Sequence, residues 1–151
     1  MTVDSLPEWL RQFNGRDLEA AMTQAAILAT QDSQGWPHLA YLSAGEILAR
    51  SGGISLALWP ASRTAANLRL EGRAILHVAW EGVVWEARLA LHLRDADAGE
   101  GHLLFFDGVV TETRRHAAPY AEVETLISFR LHDEPGTLAR WKLQLDRLRV
   151  L

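Results

Sequence analysis

One stretch in the middle of the chain decides the fold prediction: Ile54-Ser-Leu-Ala-Leu-Trp-Pro60, followed by Ala61-Ser-Arg-Thr-Ala-Ala-Asn-Leu-Arg-Leu-Glu71. The first part is apolar enough for a buried strand, and Pro60 ends it because proline has no amide hydrogen to donate. The second part is rich in helix-forming residues, begins with Ser62 as a typical N-cap and ends at Gly72. We therefore predict a strand, a turn and a helix between residues 54 and 72.

The start of this helix is a candidate anion-binding site. The first turn of a helix leaves backbone amides without partners and carries a partial positive charge. Ser62 and Thr64 add hydroxyl groups, and Arg63 adds a guanidinium that matches phosphate. Asn67 follows Arg63 by four residues, so the spacing predicts one shared face. The opposite face, expected to pack on a sheet, contains Ala61, Ala65, Leu68 and Gly72. A helix cap beside solvated polar residues is the alternative interpretation.

Patterns on both sides of this stretch predict further strands and helices. Apolar and alternating runs predict strands at residues 25–31, 36–50, 73–80, 83–94 and 125–131, with the tail of the second ambiguous between strand and helix. Helical spacing predicts helices at residues 5–13, 16–24 and 137–148, the last after a turn at 132–136. Residues 95–120 are undecided and leave room for a short helix. Together the patterns predict one mainly β (α+β) domain over residues 1–151: a Greek-key-like antiparallel barrel of five or six strands with short helices at its ends.

Composition and charge argue against several kinds of protein. The 151 residues suit one domain, and 48% apolar with 23% charged residues is ordinary for a globular protein. A net charge of −4 argues against nucleic acid or an anionic membrane as partner. The absence of cysteine excludes disulfides, thiolate nucleophiles and cysteine-bound metals. Without a leader pattern or an apolar run long enough to span a membrane, we expect a cytoplasmic protein.

The histidines and the motif search do not point to a metal or to a catalytic residue. The six histidines show neither the H-x-x-x-H nor the H-E-x-x-H spacing, so we predict no metal site. The run Arg114-Arg-His116 is interpreted as a solvated charge cluster. Motifs of P-loop proteins, Rossmann folds and α/β-hydrolases are also absent. Any catalysis would then depend on a bound cofactor.

Several short motifs together resemble the pyridoxamine 5′-phosphate oxidase-like, FMN-binding split-barrel family. They lie at residues 25–32, 35–38 (Gly-Trp-Pro-His), 56–60, 62–64 (Ser-Arg-Thr), 67–68 (Asn-Leu) and 73–78, in the order of the family's first four strands. The resemblance implies an antiparallel split β-barrel and FMN as the cofactor, with Ser62 and Arg63 at the phosphate. It also implies a homodimer with the cofactor in a groove between subunits. Trp80 and Trp85 flank a hairpin turn and could belong to a large apolar surface shared by two subunits. The alternative is that they fill the core of a monomer.

Two departures from the family pattern bear on the cofactor. The family's oxidases commonly have lysine where this chain has Thr64, and basic residues on the second strand, where residues 36–45 offer only His38. The arginine- and proline-containing C-terminal signature of true pyridoxamine phosphate oxidases is also missing.

From the resemblance we predict an FMN-dependent oxidoreductase of unknown small-molecule substrate, with hydride transfer through flavin N5. F420 is an alternative cofactor, and the alternative function is a non-catalytic ligand-binding or sensing module that has lost FMN. The flavin ring needs a flat apolar slot, for which Tyr41 and Trp80 are further candidates. The predicted cofactor-binding residues are Trp59, Ser62, Arg63, Thr64 and Asn67.

Overall fold

The computed structural model describes residues 6–21, 23–94 and 103–150, which contain eight strands and four helices. The strands are β1 (Gln24–Gln31), β2 (Pro37–Leu42), β3 (Ile47–Arg50), β4 (Gly53–Leu58), β5 (Arg73–Trp80), β6 (Val83–Leu93), β7 (Leu104–His116) and β8 (Ile127–Ser128). The helices are α1 (Glu8–Arg11), α2 (Leu18–Ala21), α3 (Arg63–Glu71) and α4 (Glu134–Arg149). Within these ranges no helix has both the length and the apolar character that crossing a membrane requires.

The strands form one antiparallel sheet in the order β2-β1-β5-β6-β7-β4-β3, and β8 pairs with the beginning of β1. The sheet curls into a half-barrel, which confirms the predicted mainly β split barrel. The chain leaves β2 at one edge and adds the β3–β4 hairpin at the other edge, next to β7. The described residues thus contain more strands than the five or six predicted.

The undecided region contains the longest strand. β7 runs from Leu104 to His116 and pairs with both β4 and β6. Its second half is exposed on both faces, so it has no apolar alternation by which a strand is recognised. The short helix left open for this region is absent from residues 103–120, and residues 95–102 lie outside the described part of the chain.

A tight turn divides the predicted strand at residues 36–50 into β2 and β3. The Ser43 amide and hydroxyl both donate to Glu46 Oε1, at 3.1 and 2.8 Å. Burial raises the pKa of Glu46, against the effect of these hydrogen bonds. Gly45 lies against Trp141 of α4, where a Cβ atom would overlap the indole ring. The turn is therefore the place at which α4 docks, which explains the ambiguous tail of the predicted strand.

Several predicted elements differ in length from those observed. α4 begins three residues before the predicted start, because Asp133 caps it by accepting from the Gly136 amide (3.2 Å) and Pro135 fits the first turn. β8 has only two residues where a strand over 125–131 was predicted. In the described residues the first two helices are single turns, and residue 5, the predicted start of the first, lies outside them.

Two apolar clusters hold these elements together. The larger fills the curl of the sheet under α1 and α3, and its fully buried side chains include Leu10, Leu28, Leu56, Leu76 and Phe106. The smaller lies between α4 and the β3–β4 hairpin and includes Leu48, Ala57, Trp141, Leu145 and Leu148. Burial of these apolar surfaces is the main force that closes the half-barrel.

An ionic cluster fastens the C-terminus of α4 to the sheet. The Asp107 carboxylate on β7 accepts from Arg94 Nε and Nη2, both at 2.7 Å, and from Ser55 Oγ at 2.6 Å. Arg50 and Arg94 also donate to the Leu148 carbonyl, at 3.0 and 2.9 Å. That carbonyl is one of those that a helix end leaves without an intrahelical partner. Burial acts to raise the pKa of Asp107, but the hydrogen bonds and the two arginine charges outweigh it and lower the pKa.

Asp107→Asn is expected to lower the free energy of unfolding at neutral pH by about 2 kcal/mol, because two charge-assisted hydrogen bonds lose their carboxylate. Because folding lowers the pKa of Asp107, the carboxylate stabilises the fold fully at pH values above the pKa of the unfolded chain, and this stabilisation is lost as the pH falls through the lower pKa of the folded state. Thermal unfolding at about pH 6 and about pH 3 should therefore show a smaller acid-induced loss in Asp107→Asn than in wild type. The exposed Asp146→Asn is the matched control; equal acid sensitivity of wild type and Asp107→Asn would contradict the assignment.

Candidate functional site

The predicted strand, turn and helix between residues 54 and 72 are confirmed. β4 ends at Leu58, and the Ser62 amide donates to the Trp59 carbonyl (3.0 Å) in the turn that follows. Ser62 is the N-cap of α3, with its hydroxyl oxygen accepting from the Ala65 amide at 3.1 Å. Gly72 ends the helix in the left-handed region (φ 65°), which a residue with a side chain adopts only at a cost.

The five predicted site residues divide into a surface group and a buried group. Trp59 is 69% exposed, Arg63 is exposed and Ser62 is half-buried. Thr64 and Asn67 are 3% and 5% exposed, so their side chains lie in the interior. The predicted common face of Arg63 and Asn67 is therefore not observed.

Asn67 faces the sheet, where its Nδ2 atom donates to Thr30 Oγ1 of β1 at 2.9 Å. Both side chains are buried, and a buried amide without a partner would be costly. Of the residues predicted to pack, Ala65 and Leu68 are buried as expected, whereas Ala61 is exposed. The helix is thus rotated toward its polar Thr64 and Asn67, and the hydrogen bond to Thr30 makes that rotation possible.

The exposed start of α3 has the chemistry of an anion site. Among the described residues none forms an ion pair with Arg63. The amides of Arg63 and Thr64 precede the first intrahelical hydrogen bonds and point out of the helix end. One guanidinium, one hydroxyl and these amides would suit a phosphate group. The exposed Trp59 indole precedes them in the same turn.

Two grooves of the described residues lie elsewhere. One, of about 670 Å³, lies over β1, β5 and β6 and is lined by Gln31, Arg73 and Arg88 among others. The second, of about 740 Å³, follows β4, β6 and β7 and includes His92 and Asp107. Neither groove is lined by any of the five predicted site residues. In the described residues, the start of α3 presents the exposed Trp59 and Arg63 side chains to solvent.

The strand register places an apolar area on the outer face of the sheet, the face turned away from the curl. Residues paired across neighbouring antiparallel strands point to the same side. One row across β2, β1, β5 and β6 consists of Tyr41, Ile27, His77 and Glu86. The next row consists of Leu39, Ala29, Ile75 and Arg88. Tyr41 and Leu39 are 58% and 51% exposed, so their end of this face presents apolar side chains to solvent.

The same face carries a cluster that the sequence analysis missed. His77 Nε2 and His116 Nε2 lie 2.9 and 3.3 Å from Glu86 Oε1. The hydrogen bond with His77, together with that of His116, lowers the pKa of Glu86 against the effect of burial. The run at residues 114–116 is therefore not simply a solvated charge cluster, because His116 contacts Glu86.

Half of this cluster could have been read from the sequence. The strands predicted at residues 73–80 and 83–94 leave Glu81 and Gly82 as a two-residue turn, which pairs Trp80 with Val83; counting back along the hairpin then pairs His77 with Glu86. The position of His116 could not be counted, because β6 and β7 pair across a long connection and with a bulge between Arg88 and Leu89.

Comparison with known proteins yields a sequence relative and structural neighbours. The chain is 31% identical over 141 residues to the uncharacterized protein YclD of Bacillus subtilis (strain 168), and the match covers 90% of each chain. No protein-family model matches the sequence. The structure is similar to HupZ of Group A Streptococcus, with a TM-score of 0.52 and 12% identity over 65% of this chain and 94% of that chain. An FMN-binding protein from Syntrophomonas wolfei has a TM-score of 0.49 and 17% identity, covering 72% of this chain and 88% of that chain. At 12% identity the likeness to HupZ concerns the fold alone.

Asn67→Ala is expected to lower the free energy of unfolding by about 1 to 3 kcal/mol, because it leaves the buried Thr30 hydroxyl without its partner. Thr30→Val combined with Asn67→Leu should cost less than the sum of the two single changes, since both polar groups then leave the interior together. Urea denaturation of wild type and Asn67→Ala measures the first effect. Urea denaturation of wild type, Thr30→Val, Asn67→Leu and the double variant measures the coupling between the two side chains. Strictly additive losses would contradict the role given to the Asn67–Thr30 hydrogen bond.

Proposed function

We propose a flavin-dependent function for this chain, which belongs to the protein family of YclD and has the pyridoxamine 5′-phosphate oxidase-like split-barrel fold. The chain would bind FMN and act as an oxidoreductase on a small-molecule substrate. The observation that carries the proposal is the exposed start of α3, where Trp59, Ser62 and Arg63 follow directly on the end of β4. When bound, FMN would supply hydride transfer through its N5 atom.

The donor groups at this corner fit the phosphate end of FMN. Arg63 is exposed and would provide the charge, while the Arg63 and Thr64 amides would provide directed donors. The Ser62 oxygen accepts from the Ala65 amide, which leaves the hydroxyl hydrogen available to donate to a ligand. The Thr64 and Asn67 side chains, being buried, would position the helix and not contact the cofactor.

The flavin ring would need more apolar surface than a single indole offers. The Trp59 indole offers one flat apolar surface, and the described grooves do not include it. We propose that a second copy of the chain completes the slot. The exposed apolar area around Tyr41 and Leu39 on the outer face is the surface offered for this homodimer.

One observation favours the alternative of a binding or sensing module that has lost FMN. Arg63 is the single basic side chain on the exposed first turn of α3, and β2 carries no arginine or lysine. A dianionic phosphate held by one guanidinium and backbone amides would bind more weakly than one held by several cations. The alternative predicts a colourless protein that binds neither FMN nor the alternative cofactor F420.

Titration of the purified protein with FMN, and separately with F420, by flavin fluorescence and absorption tests the cofactor. Arg63→Ala is expected to weaken FMN binding roughly tenfold to a hundredfold, as the loss of one charge-assisted contact implies. Arg69→Ala, an exposed arginine in the last turn of the same helix, should leave the affinity unchanged. Unaltered FMN affinity in Arg63→Ala would remove the phosphate assignment, and absence of binding to wild type would favour the alternative module.

Sedimentation at micromolar concentration tests the homodimer. The double variant Leu39→Arg with Tyr41→Arg is expected to sediment as a monomer, because two like charges would face each other across a symmetric interface. Tyr120→Arg introduces the same charge at a tyrosine that is 89% exposed and belongs to a turn and not to a strand of the sheet, and this variant should remain a dimer. A wild-type protein that sediments only as a monomer would refute the proposal.

A further inference from the structure

We infer that His77, Glu86 and His116 form a binding site for a divalent transition-metal ion, with Zn²⁺ as its probe, on the outer face of the sheet. The inference does not rest on FMN binding, because the site shares no residue with the start of α3. It lies on the same outer face as the proposed dimer surface around Tyr41 and Leu39. It departs from the prediction of no metal site, which depended on helical spacing and could not detect ligands from three strands.

The three side chains converge from neighbouring strands on one point. His77 of β5 pairs directly with Glu86 of β6, and His116 lies two residues beyond Arg114, the partner of Glu86 on β7. Alternation along β7 therefore puts His116 on the same side of the sheet. One ligand atom from each side chain lies within 4.8 Å of the other two.

The distances suit a shared ion. Ligand bonds of about 2.0 to 2.2 Å in a tetrahedral site place neighbouring ligand atoms about 3.4 Å apart. The observed separations from Glu86 Oε1 are 2.9 Å to His77 Nε2 and 3.3 Å to His116 Nε2. An ion could replace both hydrogen bonds to Glu86, since all three ligand atoms already lie within 4.8 Å of one another, and the ring centroids are 5.8 Å apart.

The surroundings are compatible with a cation. The side chains of Arg88 and Arg114 are the nearest basic groups by register, but both pair with Glu112, at 3.2 and 3.6 Å. Arg115 lies on the opposite face of the sheet, over the Trp85 ring. The Glu86 side chain is 12% exposed, so water screens its charge only partly.

The ligand set determines which ions would bind and how. Two imidazoles and one carboxylate favour Zn²⁺ and its first-row neighbours over Ca²⁺ or Mg²⁺, which prefer oxygen ligands. Three protein ligands leave one tetrahedral position for water or a small anion, which is the arrangement of catalytic zinc sites and not of closed structural ones. The 50% exposure of the His116 side chain leaves that position accessible from solvent.

Isothermal titration of tag-free, chelator-treated protein with Zn²⁺ tests the inference. We expect one Zn²⁺ per chain, and Co²⁺ in its place should give the visible absorption of a tetrahedral site. His77→Gln and His116→Gln should each weaken Zn²⁺ binding by more than roughly a hundredfold, because even outer-shell partners of ligands contribute ten- to a hundredfold. His92→Gln, an exposed histidine on the same strand as Glu86, should bind Zn²⁺ as wild type does.

Two results would overturn the inference: the absence of saturable one-to-one binding to wild type, or unchanged affinity in both His77→Gln and His116→Gln. If a variant fails to fold, nitrogen-15 spectra of wild-type histidine rings decide the question. Zn²⁺ should then shift the ring signals of two histidines while the others stay unchanged. Shifts of a different histidine set would equally refute the site.

Discussion

The antiparallel register of β1, β5, β6 and β7 is the constraint on which both faces of the molecule depend. Side chains alternate along each strand, so a slip of one residue would exchange the two faces. In the observed register a fully buried row consists of Leu28, Leu76 and Ala87. The adjacent row, on the outer face, consists of Ile27, His77 and Glu86. Because the first row is buried in the core, the second row lies on the outer face of the sheet, where a partner chain or an ion can reach it.

At the start of α3, a single buried hydrogen bond determines which side chains face solvent. The bond between Asn67 and Thr30 lets a polar residue face the sheet, and the helix turns accordingly. Because Thr64 and Asn67 occupy the packed side, the Arg63 side chain is left at the surface, next to the exposed Trp59 of the preceding turn. The proposed homodimer would supply the further surface that a ligand at this corner requires.

Much of the fold could be predicted because local patterns and burial agree. β5, β6 and α3 lie where periodicity, the two-residue turn at Glu81-Gly82 and the Ser62 cap placed them. The break between β2 and β3 could not be located from the sequence. The Trp141 indole packs against Gly45 in this turn, and Trp141 is far away in the sequence. β7 was missed because its exposed half has no apolar period. Local sequence does not contain either kind of information.

Local sequence was sufficient to predict the mainly β antiparallel class, the strand-turn-helix unit at residues 54–72 and the residues from which an anion site could be built. The folded chain was needed to show which of those residues face solvent and that His116 contacts Glu86 beside His77. The physical reason is that helix and strand periods are set by neighbours along the chain. The rotation of a helix on a sheet and the pairing of distant strands are set by the burial of the whole core.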